Sequence, residues 1–222
     1  MKAISLWQAY LAGALHGDAW CTNSSFGLRV KDRDFADAFV LALNSVTGTQ
    51  ISVLQDERGY WTVRASNATG RFSSLRKYLP HDDDERSAWL RGMFDSGGNA
   101  QLWHMPHVSP NSHHRRVAFY STSTETLRIV GEHLRSLTIP FTIRSTSNSI
   151  SHKGSKTVFE LRVVRKEGFT KFARLVGSSI GRKNDRLQAI IAAYDKSEGF
   201  SSRGGILGSA ARRARRSAGG AY

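Results

Sequence analysis

A single carboxylate, Asp18, closes the string Leu11-Ala12-Gly13-Ala14-Leu15-His16-Gly17-Asp18-Ala19, a run of small and apolar residues that ends in a Gly-Asp step. A related string returns 79 positions later as Leu90-Arg91-Gly92-Met93-Phe94-Asp95-Ser96-Gly97-Gly98. Two copies of one helix-end pattern imply an internal duplication, with two helices meeting at a pseudo-twofold axis. An acid at a helix end can cap the backbone, face solvent or hold a hard divalent ion. Two such acids at the tips of two packed helices could place metals against both strands of a phosphodiester backbone. Asp18 fills that place in the first copy. The matching residue in the second copy is Gly97, which has no acid to offer. Asp95 lies two residues earlier, about 200° around a helix of about 3.6 residues per turn, and is expected to bond backbone at the helix end. His104, His107, His113 and His114 gather near a Pro-containing loop, but neither an acid nor a Cys completes a metal set. Phosphate or base contact, or ordinary loop histidines, is the reading for them.

The elements that must position these residues follow from pattern. Ile4 to Leu15 reads as a helix, Phe26 to Val30 as a strand, and a helix after Asp32 or Asp34 buries Phe35, Phe39, Ala42, Leu43 and Val46 before Gly48 stops it. Strands over Ile51 to Leu54 and Tyr60 to Ala65 form a hairpin, and a short helix over Phe72 to Leu79 ends at Pro80. The acidic run Asp82 to Glu85 suits the positive end of the next helix dipole. The order then recurs. Strands are expected near Gln101 to Trp103 and Arg115 to Tyr120, and a helix over Thr124 to Leu137. A strand from Phe141 to Arg144, a polar hairpin tip over Ser145 to Ser155 and a strand from Lys156 to Val164 follow. Helices near Phe169 to Val176 and Asp185 to Tyr194 finish the order. The five Trp read as core.

Strand alternation sorts side chains onto two faces. One face is apolar. The other carries Arg29 and Lys31; Tyr60, Thr62 and Arg64; Arg116 and Tyr120; Thr142 and Arg144; and Glu160 with Arg162. A solvated polar face is the ordinary state of an antiparallel sheet. The recurrence of Arg or Lys on these faces suits base edges and phosphates in a major groove instead.

Composition agrees. The 222 residues hold 32 Lys and Arg against 18 Asp and Glu, a formal charge of +14 that favours a polyanion partner. The sequence shows no unbroken apolar run of about 18 residues, no lipidation motif and no secretory leader pattern. An intracellular, DNA-associated protein, in the cytoplasm of a prokaryote or in an organelle, is expected. The lone Cys21 excludes an internal disulfide and any Cys-based zinc framework.

The two strings resemble the signature of the LAGLIDADG homing endonucleases, in their monomeric, two-motif form, and the resemblance covers roughly Ser5 to Tyr194. It implies an α+β fold of two pseudo-symmetric αββαββα repeats whose antiparallel sheets form a saddle on double-stranded DNA. The repeats would span 1–84 and 85–196, followed by a basic tail over 197–222. It implies that Gly13 and Gly92 sit at the helix contact, that Asp18 with the Gly17 carbonyl holds Mg2+, and that Lys183 and, more loosely, Lys77 support the attacking water and the phosphate. The implied activity is metal-dependent cleavage of a long asymmetric duplex site by a monomer, impaired where Gly97 replaces the second acid. A non-cutting DNA binder, a nickase or an intron maturase acting on RNA is the alternative of the same fold.

Overall fold

The computed structural model describes residues 2–105, 113–151 and 154–194; His107 and the tail expected over 197–222 lie outside them. Helix α1 (Lys2–Leu15) packs against helix α3 (Asp83–Gly97), and the two form the axis of the molecule. Their approach is close because it is built on glycine. A Cβ on Gly13 would overlap the carbonyl of Trp89, and one on Gly92 would overlap the carbonyl of Tyr10. The contact is backbone on backbone, so no side chain could move aside to make room.

Each axial helix leads into a four-stranded antiparallel sheet. The first contains β1 (Trp20–Cys21), β2 (Ser25–Val30), β3 (Leu54–Gln55) and β4 (Trp61–Ser66) in the order β1-β2-β4-β3. The second contains β5 (Gly98–His104), β6 (His113–Ser121), β7 (Phe141–Ser151) and β8 (Gly154–Val163) in the equivalent order β5-β6-β8-β7. Helices α2 (Arg33–Thr47) and α4 (Thr124–Ser136) each join the second and third strands of a sheet. The second half then adds α5 (Arg165–Leu175) and a helix α6 over 181–194. The chain is thus α+β, with two repeated αββαββ units.

Apolar faces do the packing that alternation anticipates. Phe26 of β2 stacks on Phe72 at 4.7 Å and lies 5.4 Å from Phe39 of α2. In the second half Phe94, Phe119 and Phe172 join α3, β6 and α5 with centroids 4.9 to 6.0 Å apart. The start of α3 is held by its own acids. Asp82 accepts a hydrogen bond from Glu85 N at 2.9 Å, and buried Glu85 accepts from His81 N and from Tyr78 Oη. The run Asp82 to Glu85 is therefore an N-terminal cap.

Several boundaries differ from expectation. Between the expected first helix and the strand from Phe26, the structure adds the edge strand β1, which pairs with β2 through Trp20–Gly27 and Cys21–Phe26. The expected hairpin tip over Ser145 to Ser155 is instead ladder, since β7 and β8 stay paired as far as Ser151–Gly154. The third helix of the first half is only a 3-10 stretch, Ser73–Lys77. Ile143, on the apolar side of the strand alternation, is 48% exposed at β7, the edge of its sheet. No described helix is long and apolar enough to cross a membrane.

Candidate metal centre and nucleic-acid interface

Helix α1 ends at Leu15, and the chain tightens into a turn: His16 N donates to Gly13 O and Gly17 N to Ala14 O, both at 3.1 Å. The turn rests on the tip of α3. Gly17 abuts Ser96, with room for no Cβ, and Asp18 N donates to Ser96 Oγ at 2.5 Å. Asp18 and Gly97 therefore meet across the pseudo-twofold axis, as the duplicated motif requires. Both line a cleft of about 350 Å³, whose wall includes Asp32, Tyr120, Arg182 and Lys183. Asp18 is exposed. The protein around the cleft nonetheless desolvates its carboxyl and raises its pKa, and the Lys183 charge opposes that rise.

The second motif offers only backbone at the matching place. Gly97 is exposed, no atom lies within 4 Å of where its Cβ would be, and its backbone is not left-handed. Geometry there does not demand glycine. Asp95 is turned away, as helical periodicity anticipates. It is 2% exposed and accepts from Tyr10 Oη at 3.0 Å, from Ser179 N at 3.1 Å and from the Ser178 hydroxyl. Burial raises its pKa and these donors oppose the rise. Asp95 thus ties α3 to α1 and to the turn before α6. Its counterpart in the first motif, His16, packs instead on the Trp89 ring at 5.2 Å.

Lys183 reaches the cleft from α6, but as a buried group. It is 5% exposed, and its Nζ donates to Phe94 O at 2.6 Å and to Asp95 O at 2.8 Å. It neutralises the carbonyl end of α3 at the tip that carries Gly97. Desolvation lowers its pKa to about 8, against the pull of Asp95, Asp32 and Asp18. The neighbouring Arg182 forks onto Asp32 at 2.7 and 2.8 Å, and Gly181 N donates to Asp34 at 3.0 Å, so the first repeat caps a helix of the second. Lys77 corrects an expectation. It is exposed at the end of the five-residue 3-10 stretch and does not line the cleft, because that element is too short to mirror α6.

The polar faces carry the charge that alternation placed there, in a more structured form. On the first sheet, the Arg29 guanidinium lies 4.2 Å from the Tyr60 ring centroid and pairs with Asp56, while Lys31 lies 5.3 Å from the same ring. Arg64 is exposed and Thr62 half-buried. On the second sheet, Arg116, Tyr120, Arg144 and Arg162 all surround Glu160, and Thr142 is exposed beside them. Glu160 was visible on this face in the sequence, but its position as the hub was not. Trp103 was missed as well. It is 40% exposed, with Arg116 5.2 Å from its ring and the tilted His114 ring 5.0 Å away, so it belongs to the polar face rather than the core. His104 packs on His113 at 5.1 Å, and the described residues hold no cluster of three or more metal-ligating side chains.

Residues 84–177 match the family model of the LAGLIDADG-like domain. An uncharacterized protein of Methanocaldococcus jannaschii is 28% identical over 213 residues, which covers 85% of this chain and 72% of that protein. The homing endonuclease I-DmoI in complex with DNA and calcium superposes with a TM-score of 0.56 at 15% identity, covering 84% of this chain and 98% of that one. Full-length DUF199/WhiA from Thermotoga maritima gives a TM-score of 0.58 at 16% identity, covering 93% of this chain and 69% of that one. The chain thus has the fold of I-DmoI, and its residues 84–177 are similar to the LAGLIDADG-like domain.

Proposed function

We propose that this protein is a site-specific endonuclease of double-stranded DNA, of the LAGLIDADG homing type, in which the loss of one acid confines cleavage to a single strand. The observation that carries this reading is the meeting of Asp18 and Gly97 at one cleft, where a carboxylate stands on one side of the axis and open space on the other. The basic strand faces supply a surface for duplex DNA, the partner with which I-DmoI was crystallised. As a fold relative bound to manganese or calcium, I-DmoI also makes a divalent ion a reasonable cofactor here.

The donor set fits one such ion. Asp18 and the Gly17 carbonyl are hard oxygen ligands at an exposed tip, and DNA phosphate would complete the shell. The Gly97 side has no acid for a second. A divalent ion supplies charge neutralisation at the phosphate and a more acidic bound water. The remaining roles belong to the chain. Ser96 fixes the Asp18 backbone, Lys183 adds positive charge beneath the scissile region, and the Asp32–Arg182 pair closes the cleft wall between repeats. Two 1–84 and 85–196 repeats of different sequence would read an asymmetric site as a monomer.

The test uses a duplex selected by binding from a random pool, placed in a supercoiled plasmid with Mg2+. The wild type should give nicked circles, Gly97→Asp linear product, and Asp18→Asn neither. Cutting by Asp18→Asn at the wild-type rate would remove the metal role of Asp18. If wild type and Gly97→Asp both bind yet leave the plasmid intact, the protein is a non-cutting binder. RNA bound in preference to duplex DNA would favour the maturase reading.

A further inference from the structure

Glu160 stands at the middle of the polar face of the second sheet, yet it is 1% exposed. Strand register sets it directly across from Tyr120 on β6 and from Arg144 on β7. Its carboxylate accepts from Tyr120 Oη at 3.1 Å, from Arg162 Nε at 3.2 Å, from Arg162 Nη2 at 3.0 Å and from Arg144 Nε at 3.3 Å. Arg116 Nε lies 3.4 Å away as a further ion pair. A buried carboxylate needs such partners, but one guanidinium would serve. Three around one acid leave net positive charge held in a fixed array.

The three differ in what they have left to give. Arg162 directs Nε and Nη2 at Glu160 and its side chain is only 17% exposed. Arg116 donates through Nη1 to Tyr120 and is 27% exposed. Arg144 gives Glu160 its Nε alone and is 52% exposed, so its two terminal nitrogens form an end-on fork toward the open face. On the first sheet Arg29 is spent differently, with both Nε and Nη2 on Asp56. Among the described arginines paired with an acid on the two polar strand faces, only Arg144 thus combines an anchored root with a free fork. Paired N–H donors at that spacing match O6 and N7 of guanine in the major groove, and a side chain already anchored loses less rotamer freedom on binding.

We propose that Glu160 is a positioning residue that presents the terminal fork of Arg144 to a guanine in the half-site read by the second repeat. This rests on the duplex-binding reading above. The test is selection of duplexes from a random pool by the wild type, Arg144→Lys and Glu160→Gln, followed by affinities for the selected duplex, for the same duplex with each G·C pair changed to A·T, and for a random-sequence duplex. The wild type should favour guanine at one position in that half-site by roughly 10-fold or more. Arg144→Lys keeps the charge and loses the fork, so it should lose this preference and keep its affinity for random duplex. Glu160→Gln should lose the same preference and bind random duplex more tightly, having shed a negative charge. An unchanged preference in a folded Arg144→Lys protein would overturn the proposal, even if Glu160→Gln failed to fold. Duplex binding by the wild type with no guanine preference would also overturn it and leave the duplex reading standing. No duplex binding at all would end both.

Discussion

In the proposed nuclease Gly97 is the residue on which the chemistry turns, and its surroundings make it replaceable. With nothing within 4 Å of a Cβ and no left-handed backbone, Gly97→Asp should fold. Removing a helix glycine favours the fold by about 0.5–1 kcal/mol, and an acid near a helix C-terminus costs a similar amount. The thermal transition should therefore move little, while plasmid cleavage passes from nicked to linear. Lys183 is the opposite case. Lys183→Met leaves the Phe94 and Asp95 carbonyls without their donor and should cost about 1–3 kcal/mol. Its folded pKa is lowered to about 8 from 10.5, so between those values the unfolded chain binds a proton that the folded one does not. Stability from this group rises with pH across that window and is lost as pH falls through about 8. Denaturant unfolding of wild type and Lys183→Met should show the wild-type advantage growing from pH 7.5 to 10; a shrinking advantage contradicts the burial of a strained charge. The sequence placed Asp18 and Gly97 at one cleft and set the Asp95 side chain off their direction, because helical periodicity and a repeated string fix relative direction. It could not show that Lys183 is buried or that Glu160 is a hub, since both depend on partners about 90 residues away or on neighbouring strands.

Among the elements, the α1–α3 contact is the least forgiving. Gly13→Ala and Gly92→Ala would each drive a methyl into a backbone carbonyl of the facing helix, with no side chain free to yield. Overpacking of this kind costs about 1–3 kcal/mol or more. Gly17→Ala meets the Ser96 side chain instead, whose Oγ can rotate away but whose Cβ at 2.6 Å cannot, so the exposed turn itself must shift. It should cost less stability and act chiefly on cleavage, by releasing the Asp18 N–Ser96 bond. Denaturant midpoints for the three variants check this order, and equal losses would mean the axis is looser than described. Helices and central strands were legible because their apolar periods are long and clean. The short edge strand β1 and the 3-10 stretch Ser73–Lys77 were misjudged, because pairing and length at a sheet margin follow tertiary contact rather than pattern. The Ser145 to Ser155 segment was misread for the same reason: its polar composition suggested a tip, yet β7 and β8 pair through it.

For the whole molecule, the +14 charge and the two polar strand faces argue for binding dominated by phosphate contact. About six to ten such contacts would lower duplex affinity by roughly 10³–10⁵ between about 50 and 200 mM salt, measurable by fluorescence anisotropy. A flat response would count against a charged saddle. The duplication itself was readable from two nine-residue strings, and the equivalent strand orders β1-β2-β4-β3 and β5-β6-β8-β7 bear it out. What the strings could not convey is how unequal the halves have become. One carries an acid at its tip and a locked Arg29; the other carries glycine, a buried lysine and the Glu160 cluster. The most direct test of this asymmetric centre is a crystal structure of the protein on its selected duplex with calcium. One ion should lie between Asp18 and a backbone phosphate, with none over Gly97 and with both sheets on the DNA. An ion far from residue 18, a second ion at Gly97, or a duplex bound on the helical side would contradict the account.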